Sequence, residues 1–379
     1  MARGISVVPA DSGKNLSRFI DFQYDLYRDS EYFVPPLRMD VGKVLNPGKN
    51  AFFEHGKIQP LIAVDANDVV VGRIAAIRNG MHLQTHSDAT GFFGFFECVE
   101  DPDVATALLT AVDEWHVDNG LRAVRGPTNP TINDTSGLLV DGFDRCPSIL
   151  MPYNKPYYEE YLLNHGYERA MTMWAYYVHK KYVETERLER GVKVVKHRNP
   201  NITIRTMDMS RFNEDAAEVL EIFNEAWSEN WGHVPMTDNE FKQLAAEMKQ
   251  VLDPGLVLIL EDDGVPFAFS ITLPNLNEAL IKVKNGRLLP LGLPKILFQA
   301  KVVGIRECRT ALMGIRPSYR GRGLDALLNL ATIENGQRLG YSGCEMSWVL
   351  DTNPRLLSAL KQLNAVVDKE YAMFEKALN

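Results

Sequence analysis

The sequence contains few cysteines and no apolar run long enough to cross a membrane. The four cysteines lie far apart, and none has the Cys-x-x-Cys spacing of a zinc site or a redox motif. They are Cys98, Cys146, Cys308 and Cys344. We interpret them as reduced thiols, because a disulfide-stabilised secreted domain uses cysteine more densely. The N-terminal residues also lack the apolar core of a signal peptide, so we predict a cytoplasmic protein without a membrane partner.

An excess of positive charge is missing as well. Lys and Arg together number 41 and Asp and Glu 49, which gives a net charge of -8. This balance argues against a general binder of nucleic acids or of anionic membranes. No motif indicates Walker-type nucleotide hydrolysis, a Ser or Cys nucleophile or a metal site, so we predict no metal ion. The chain of 379 residues, 45% of them hydrophobic, is long enough for two globular domains.

One short stretch departs from this acidic background. An apolar run ends at Ile315, a loop containing Gly321 and Gly323 follows, and apolar residues at helical spacing begin at Leu324. The two glycines let successive N–H groups point into one concavity at the positive end of the helix, a geometry that binds phosphate. Three arginines in the loop add charge that favours a diphosphate. They are Arg316, Arg320 and Arg322. The alternative is a basic surface turn that precedes a helix.

The sequence divides into two halves that repeat one order of elements. Residues 180–200 are rich in charged residues and have few large apolar ones, and we predict a linker over 186–200 between domains at 1–185 and 201–379. Each half is predicted to run strand, helix, hairpin, strand, helix, strand, helix and strand. Each also carries Thr-Asn-Pro, at 128–130 and 352–354. We therefore predict an α/β fold of the α+β mixed-sheet kind, with two domains that each have a central mixed β-sheet flanked by helices.

The loop Arg320-x-x-Gly323-x-Asp325 resembles the Arg/Gln-x-x-Gly-x-Gly/Ala loop of the GNAT N-acetyltransferase superfamily. In that family the loop amides hold the pyrophosphate of acetyl-CoA, so the resemblance implies acetyl-CoA or another acyl-CoA as cofactor. It covers about 202–378 and, more weakly, the first half, which lacks the loop and would be a degenerate copy that does not bind CoA. Asp325 departs from the pattern. Its carboxylate would repel the phosphates or, alternatively, complement the helix dipole.

The resemblance also implies which residues form the CoA site. The fourth strand of such a domain offers backbone groups to the acyl-pantetheine arm, and the loop after it holds the pyrophosphate. The positions so implied are Met313, Gly314, Ile315, Arg320, Gly321, Arg322, Gly323, Leu324 and Asp325. Asn353 matches an asparagine that commonly meets the thiol region of CoA. The family's tyrosine falls at Leu360, so the usual general acid is absent from its place.

Acyl transfer to an amine needs a polarised thioester carbonyl, a deprotonated amine and a protonated leaving thiolate. Trp227, Trp231 and His233 lie where the resemblance implies that the acceptor binds, and they could form an amphipathic pocket or simply pack. We take His233 as the candidate base and Tyr371 as the candidate acid. Other groups stay open for these roles, namely Glu261, Asp262 and Glu345 as bases and Tyr319 as an acid.

A polar stretch in the first half offers further candidates for substrate binding. Residues 126–158 are dense in Asn, Asp, Pro, Gly and Tyr, which shape turns and also build binding sites in loops. The candidates are Asn129, Asn133 and Tyr153. Tandem members of the GNAT family often bind the acceptor at the junction of their halves, which these residues could line.

These features lead to one functional hypothesis and two alternatives. The chain is predicted to be a CoA-dependent N-acyltransferase that moves an acetyl or other acyl group to the amine of a small molecule or of an N-terminus. The first alternative is a catalytically inactive GNAT-like protein that binds a ligand or has a regulatory role. The second is an aminoacyl-transfer or long-chain acyl enzyme of the same fold. The leading hypothesis predicts a small-molecule amine as partner and no nucleic acid.

Overall fold

Strands and helices alternate along the chain, of which the computed structural model describes residues 4–378. The strands are β1 (Ser6–Pro9), β2 (Lys57–Val64), β3 (Val70–Arg78), β4 (Thr90–Cys98), β5 (Ala123–Gly126), β6 (Thr128–Asn129), β7 (Thr135–Ser136), β8 (Leu138–Asp141), β9 (Glu168–His179), β10 (Ile202–Thr206), β11 (Val257–Asp262), β12 (Val265–Pro274), β13 (Glu307–Ile315), β14 (Gly343–Leu350) and β15 (Val366–Ala377). The α-helices are α1 (Gly13–Leu26), α2 (Arg38–Val44), α3 (Gly80–His86), α4 (Pro102–Asp118), α5 (Tyr158–Asn164), α6 (Glu186–Arg198), α7 (Phe212–Trp227), α8 (Asp238–Met248), α9 (Asn277–Leu280), α10 (Gly292–Phe298), α11 (Asp325–Arg338) and α12 (Pro354–Gln362). The predicted mixed α/β fold is confirmed. None of the described helices has the length and apolar content needed to span a membrane.

The chain forms two compact units whose borders differ from the predicted domains. Unit 1 comprises Met1–Met173, Asn277–Val302 and Lys369–Asn379, and unit 2 comprises Trp174–Leu276 and Val303–Asp368. The sequence predicts a second domain that runs without interruption from residue 201 to the end of the chain. The structure instead assigns an insertion and the C-terminal strand, both from the second half of the sequence, to unit 1. Strand pairing explains the C-terminal part, because β15 pairs with β5 and β8.

The predicted linker at 186–200 is mostly the helix α6. Val192 of this helix is buried in the same core as Leu324 of unit 2, and Leu188 and Val195 pack against that core. These three apolar residues of α6 are spaced by four and three positions, so they share one face of the helix. The charged composition that predicted a linker therefore belongs to the solvent-exposed face of an amphipathic helix.

Unit 1 is built on a sheet with the strand order β1-β2-β3-β4-β5-β15. Neighbouring strands are antiparallel except β4 and β5, which run parallel. Strand β4 is buried along its whole length, because helices cover both faces of the sheet. Phe93 packs with Leu108 of α4 on one face, and Phe92 packs with Phe19 of α1 on the other. The aromatic residues of this strand are sheet core.

Unit 2 is built on strands in the order β9-β14-β13-β12-β11-β10, with β9 contributing from Trp174 onward. Strands β13 and β14 run parallel, and the pairs from β10 to β13 are antiparallel. Helix α7 covers one face through Phe223, which packs on Phe269. Helices α6 and α11 cover the other face, where Leu328 packs on Phe267. Each unit is therefore a mixed sheet between helices, as the sequence predicts.

Two neighbouring strands of unit 2 separate toward their C-terminal ends. The paired register of β13 and β14 ends at Thr310 and Met346. A β-bulge follows at once and leaves Ala311 out of the pairing with β12. Beyond it, within the described chain, residues 311–315 and 347–350 continue without pairing to each other. We call the wedge between these two segments the β13–β14 gap; its narrow end lies at the last paired residues and its wide end at the glycine loop.

Candidate active site

The glycine loop joins β13 to α11 at the wide end of the β13–β14 gap. A single turn, Pro317–Tyr319, follows β13, and α11 begins at Asp325. Gly321 and Gly323 have φ angles of 79° and 75°, in the left-handed region that side chains disfavour. A Cβ at Gly321 would meet no described atom within 4 Å, so the backbone conformation and not the space requires glycine there. The loop has the form of an anion site, a glycine-rich backbone at the N-terminus of a helix of 14 residues.

Two of the three loop arginines tie the loop to the end of α7. Arg316 forms ion pairs with two glutamates of α7, with N–O distances of 3.4 and 3.3 Å. Arg320 donates to the carbonyl oxygen of Ala226, the penultimate residue of α7, and at 3.3 Å to that of Ile315. Its guanidinium also lies 3.7 Å from a carboxylate oxygen of Glu229. Both arginines hold the loop against α7, and their charges are partly balanced by carboxylates.

The third arginine has no carboxylate among its described partners. Arg322 donates to the carbonyl oxygen of Ser318 at 3.1 Å, and its guanidinium lies 4.9 Å from the ring centre of Tyr319. Tyr319 donates to Asp262 at 3.0 Å, and burial and this carboxylate raise the pKa of Tyr319. Asp325 is exposed at the first position of α11, where its carboxylate complements the helix dipole. The loop therefore combines one uncompensated cation with one exposed carboxylate.

Trp227 reaches the β13–β14 gap from α7. Its indole Nε1 donates to the carbonyl oxygen of Met313 at 3.1 Å. Gly314 allows this approach, since a Cβ there would lie 2.7 Å from the ring of Phe269 and 3.4 Å from the Cβ of Ala226. Glycine at this position serves the close packing of α7 on the sheet. The structure thus brings a candidate substrate residue onto the strand that the resemblance assigns to pantetheine.

His233 lies in an aromatic cluster with Trp227. Its ring centroid is 5.7 Å from that of Phe223, which is itself 5.1 Å from that of Trp227. The side chain of His233 is buried, and its backbone N–H donates to the carbonyl oxygen of Asn230 in a tight turn. Trp231 is partly exposed in the same turn. The acceptor candidates of unit 2 are therefore grouped, with Trp227 bordering the gap.

Asn353 and Tyr371 have structural roles that the resemblance does not imply. Asn353 is the N-cap of α12, where its side-chain oxygen accepts a hydrogen bond from the N–H of Leu356 at 3.2 Å. Tyr371 is completely buried in β15, and it pairs in register with Leu139 of β8. It belongs to unit 1, whereas the glycine loop belongs to unit 2. Leu360, at the expected tyrosine position, is part of a buried apolar cluster of unit 2.

The three polar candidates of unit 1 shape its loops. The side-chain oxygen of Asn129 accepts a hydrogen bond from the N–H of Phe95 at 2.7 Å. The backbone N–H of Asn133 donates at 3.1 Å to a threonine hydroxyl two residues earlier. Tyr153 donates to the carbonyl oxygen of Phe143 at 3.0 Å and packs among aromatic rings, and burial raises its pKa. The contact of Asn133 is that of a turn, whereas those of Asn129 and Tyr153 join residues that lie 34 and 10 positions apart.

The structure has a buried polar cluster at the narrow end of the gap. The sequence analysis identified only one of its members, Glu345. Arg309 donates from Nε to the Ser347 hydroxyl at 2.8 Å and from Nη2 to the Ser347 carbonyl at 3.0 Å. The Ser347 hydroxyl donates to Glu345 Oε1 at 2.6 Å, and Arg309 Nε lies 3.8 Å from the same oxygen. All three residues are buried. The sequence contains one signal for this cluster, a charged residue within each of two apolar strands that are neighbours in the sheet.

Four cysteines lie in the described chain, two of them on the strands that border the gap. All four cysteines are free thiols, including Cys308 and Cys344, which face each other across β13 and β14. The hydrogen bond with Cys344 and burial raise the pKa of the Cys308 thiol, which keeps this thiol protonated at neutral pH. Among these residues, no group of three or more His, Cys, Asp or Glu side chains is arranged to hold a metal ion.

Two relatives match almost the whole chain. Protein YghO of Escherichia coli K12 is 33% identical over 368 residues, which cover 96% of this chain and 93% of that protein. The bacterial ceramide synthase of Caulobacter vibrioides is 35% identical over 379 residues, which cover 99% of this chain and 98% of that protein. No family model matches the chain.

Solved structures share the fold at much lower sequence identity. The GCN5-related glucosamine N-acetyltransferase region of a fungal multi-domain GH3 β-N-acetylglucosaminidase has a TM-score of 0.59 at 14% identity, over 99% of this chain and 38% of that chain. A tandem GNAT protein from the clavulanic acid biosynthesis pathway has a TM-score of 0.56 at 11% identity, over 99% of each chain. At such identities the similarity shows the fold alone, and that fold is two GNAT domains in tandem.

Proposed function

We propose that the chain, which has the fold of two GNAT domains in tandem and belongs to one family with YghO and the bacterial ceramide synthase, is a CoA-dependent N-acyltransferase with a long-chain amine as acceptor. The observation that carries the proposal is the glycine loop at the wide end of the β13–β14 gap. A diphosphate would bind at the helix N-terminus, and pantetheine would lie along the strand edge beside it. Ceramide is an amide of a long-chain amino alcohol, so the relative's name favours a lipidic amine.

Unit 2, and not unit 1, is the proposed acyl-CoA unit. The corresponding strand of unit 1 is β4. Its pairing with the parallel strand β5 also ends before the end of the strand, at Phe92. Beyond that point the N–H of Phe95 donates to the side chain of Asn129 at 2.7 Å, and the N–H of Cys98 donates to the hydroxyl of Tyr158 at 2.8 Å. Side chains of unit 1 thus occupy N–H groups that a pantetheine chain would need, whereas the described side-chain partners of β13 beyond the bulge, Trp227 and Arg320, bind carbonyl oxygens.

The proposed reaction forms an amide bond. The amine nitrogen attacks the thioester carbonyl carbon, the C–S bond breaks, the nitrogen loses a proton and CoA leaves as the thiol. N–H groups on the edge of β13 beyond the bulge would polarise the carbonyl. Of the four candidate bases, His233, in the cluster with Trp227, and Glu345, on β14, are the two that we propose for accepting the proton. Arg309 and Ser347 would orient the carboxylate of Glu345 through the hydrogen bonds described above.

The release of CoA thiol from acetyl-CoA or palmitoyl-CoA tests this proposal, with a long-chain amino alcohol as acceptor and glucosamine as a soluble control. We expect turnover to require the long-chain amine. Arg320→Ala should raise KM for the acyl-CoA, because the loop loses its tie to α7. His233→Ala and Glu345→Gln separate the two candidate bases, since loss of the base lowers kcat and kcat/KM together. Turnover with glucosamine but not with the long-chain amine would contradict the acceptor assignment.

Two departures from the family pattern favour a second candidate, a catalytically inactive GNAT-like ligand-binding or regulatory protein. Asp325 places a carboxylate in the loop where the family pattern has none, and Leu360 replaces the usual acid. Calorimetric titration with acetyl-CoA and palmitoyl-CoA distinguishes the two candidates. Binding by the wild type that Arg320→Ala weakens would support the acyltransferase. Binding by Asp325→Gly but not by the wild type would mean that the carboxylate closes the site, and would favour the second candidate.

A further inference from the structure

One segment of unit 1 differs from the rest of the chain in its charge. Residues 281–302, which we call the basic apolar segment, contain no Asp or Glu, although the whole chain has a net charge of -8. The segment has five basic residues, all of them exposed: Lys282, Lys284, Arg287, Lys295 and Lys301. It is therefore a local region of positive charge on an acidic protein.

The same segment exposes large apolar side chains. Six of them are exposed: Leu289, Leu291, Leu293, Leu297, Phe298 and Val302. Leu289 and Val302 keep 74% and 69% of their surface accessible. The next residue, Val303, is exposed as well, and the exposed large apolar residues in the rest of the described chain are spread over many elements, as is usual on a protein surface. A concentration of exposed apolar residues in one short segment marks a binding surface.

The basic apolar segment is anchored to the body of unit 1. Val283 is buried, and the backbone N–H of Arg38 donates to the carbonyl oxygen of Gly286 at 2.9 Å. Lys284 donates to the carbonyl oxygen of Ser30 at 2.9 Å. After this anchored part the chain forms α10 and continues as a π-helical turn over Gln299–Val303. Of the exposed apolar residues, Leu293, Leu297 and Phe298 thus lie on α10 and Val302 on the π-helical turn, while Leu289 and Leu291 lie in the turn before α10.

We propose that the basic apolar segment docks unit 1 on the surface of a membrane that contains anionic lipid. Segments that lie in a membrane interface combine apolar side chains, which enter the headgroup region, with Lys and Arg, which meet lipid phosphates. Helix α10 and the π-helical turn, which extends one residue beyond the segment, are together too short to span a bilayer and would lie in the plane of the interface.

Charge favours a membrane over a second copy of this chain as the occupant. Two copies of the segment facing each other would bring like charges together, whereas an anionic bilayer complements them. The net charge of the whole chain predicts no membrane partner, but docking depends on charge within about 8 Å of the surface at physiological salt. The rest of the chain is acidic, which would orient the segment toward the lipid.

Flotation of the full chain with vesicles tests the proposal. We expect binding to mixed phosphatidylglycerol–phosphatidylcholine vesicles, weaker binding at high salt and little binding to phosphatidylcholine alone. The double variant Lys295→Gln, Lys301→Gln should bind roughly 25-fold more weakly, at about fivefold per cation. Leu297→Ser with Phe298→Ser should also weaken binding. Matched controls on the surface of unit 1 outside the segment are the double variant Lys14→Gln, Lys49→Gln and the single variant Val69→Ser, which should bind like the wild type.

A second measurement tests whether the segment itself enters the lipid. The fluorescence of Phe298→Trp, after subtraction of the wild-type signal, should shift to shorter wavelength on binding and be quenched by brominated lipid. Binding to neither kind of vesicle, binding that the segment variants leave unchanged, or an unquenched tryptophan would each overturn the proposal. So would a dimer, seen by sedimentation without vesicles, that the same substitutions dissociate. None of these readouts requires acyl transfer, so they stand apart from the proposed function.

Discussion

Lowering the pH should destabilise unit 1 through His116, which lies outside the candidate site. This side chain is completely buried on α4, and its Nε2 lies 2.9 Å from the carbonyl oxygen of Phe92, to which the neutral ring can donate. Its Nδ1 is buried with no described partner and faces Gly91, where an added Cβ would lie only 2.4 Å away. A second proton would have no acceptor, and burial lowers the pKa of His116 to about 4.

The size of the effect follows from the two pKa values. The usual pKa is 6.5, so between pH 6.5 and about 4 the unfolded chain binds a proton at His116 that the folded chain does not. The stability contribution is fully present above pH 6.5 and is lost as the pH falls through this range. The loss is about 2 kcal/mol at pH 5 and about 3 kcal/mol at pH 4. His82, whose pKa burial also lowers to about 4, should add to the loss.

Hydrogen exchange of α4 amides, corrected for intrinsic exchange and measured at neutral pH and at pH 5, reports this local stability. His116→Gln is the informative variant, because glutamine can donate to Phe92 but takes up no proton. Between neutral pH and pH 5 we expect the stability of α4 to fall by about 2 kcal/mol less in this variant than in the wild type, whatever the stability of the variant at neutral pH. His197→Gln, at an exposed position on α6, is the control and should behave like the wild type. Equal pH dependence in the wild type and in His116→Gln would refute the reasoning.

Three further substitutions test the structure around the gap. Arg309→Ala leaves a buried carboxylate unpaired and should lower the free energy of unfolding by about 3–5 kcal/mol in urea titration. Gly314→Val forces a side chain against Phe269 and should cost about 1–3 kcal/mol, whereas a neutral result would show that α7 can move away. Trp227→Phe removes the hydrogen bond to Met313 and should cost about 1 kcal/mol, while an unchanged stability would show that the bond contributes nothing.

The glycine loop could be predicted from the sequence because its determinants are local. Two glycines, a preceding strand and a following helix with apolar residues at Leu324 and Leu328 specify a strand, loop and helix wherever the surrounding chain lies. The structure places Gly321 and Gly323 at left-handed φ angles, as a loop of this kind requires. The alternating order of strands and helices, and with it the fold class, follows from the same kind of local pattern.

The unit borders and the buried cluster could not be predicted, because they depend on pairing between distant strands. An apolar pattern indicates that residues around Tyr371 form a strand, but not that this strand pairs with β5 and β8. Likewise Arg309 and Glu345 are separated by 36 positions, and only the parallel register of β13 and β14 sets them side by side. Residue type alone identified Glu345 as a candidate base, without its partners.

The repeated Thr-Asn-Pro shows why a site residue cannot be carried from one half to the other by sequence alone. In unit 1 the oxygen of Asn129 accepts the N–H of Phe95, beyond the point where β4 parts from β5. In unit 2 the proline of the motif, Pro354, begins α12, and the oxygen of Asn353 caps that helix. The same three residues give the asparagine a different N–H partner in each unit. In unit 1 the asparagine of the motif occupies a backbone N–H of β4, whereas in unit 2 it caps a helix and leaves β13 alone. This difference agrees with the proposal that unit 2 binds the acyl-CoA.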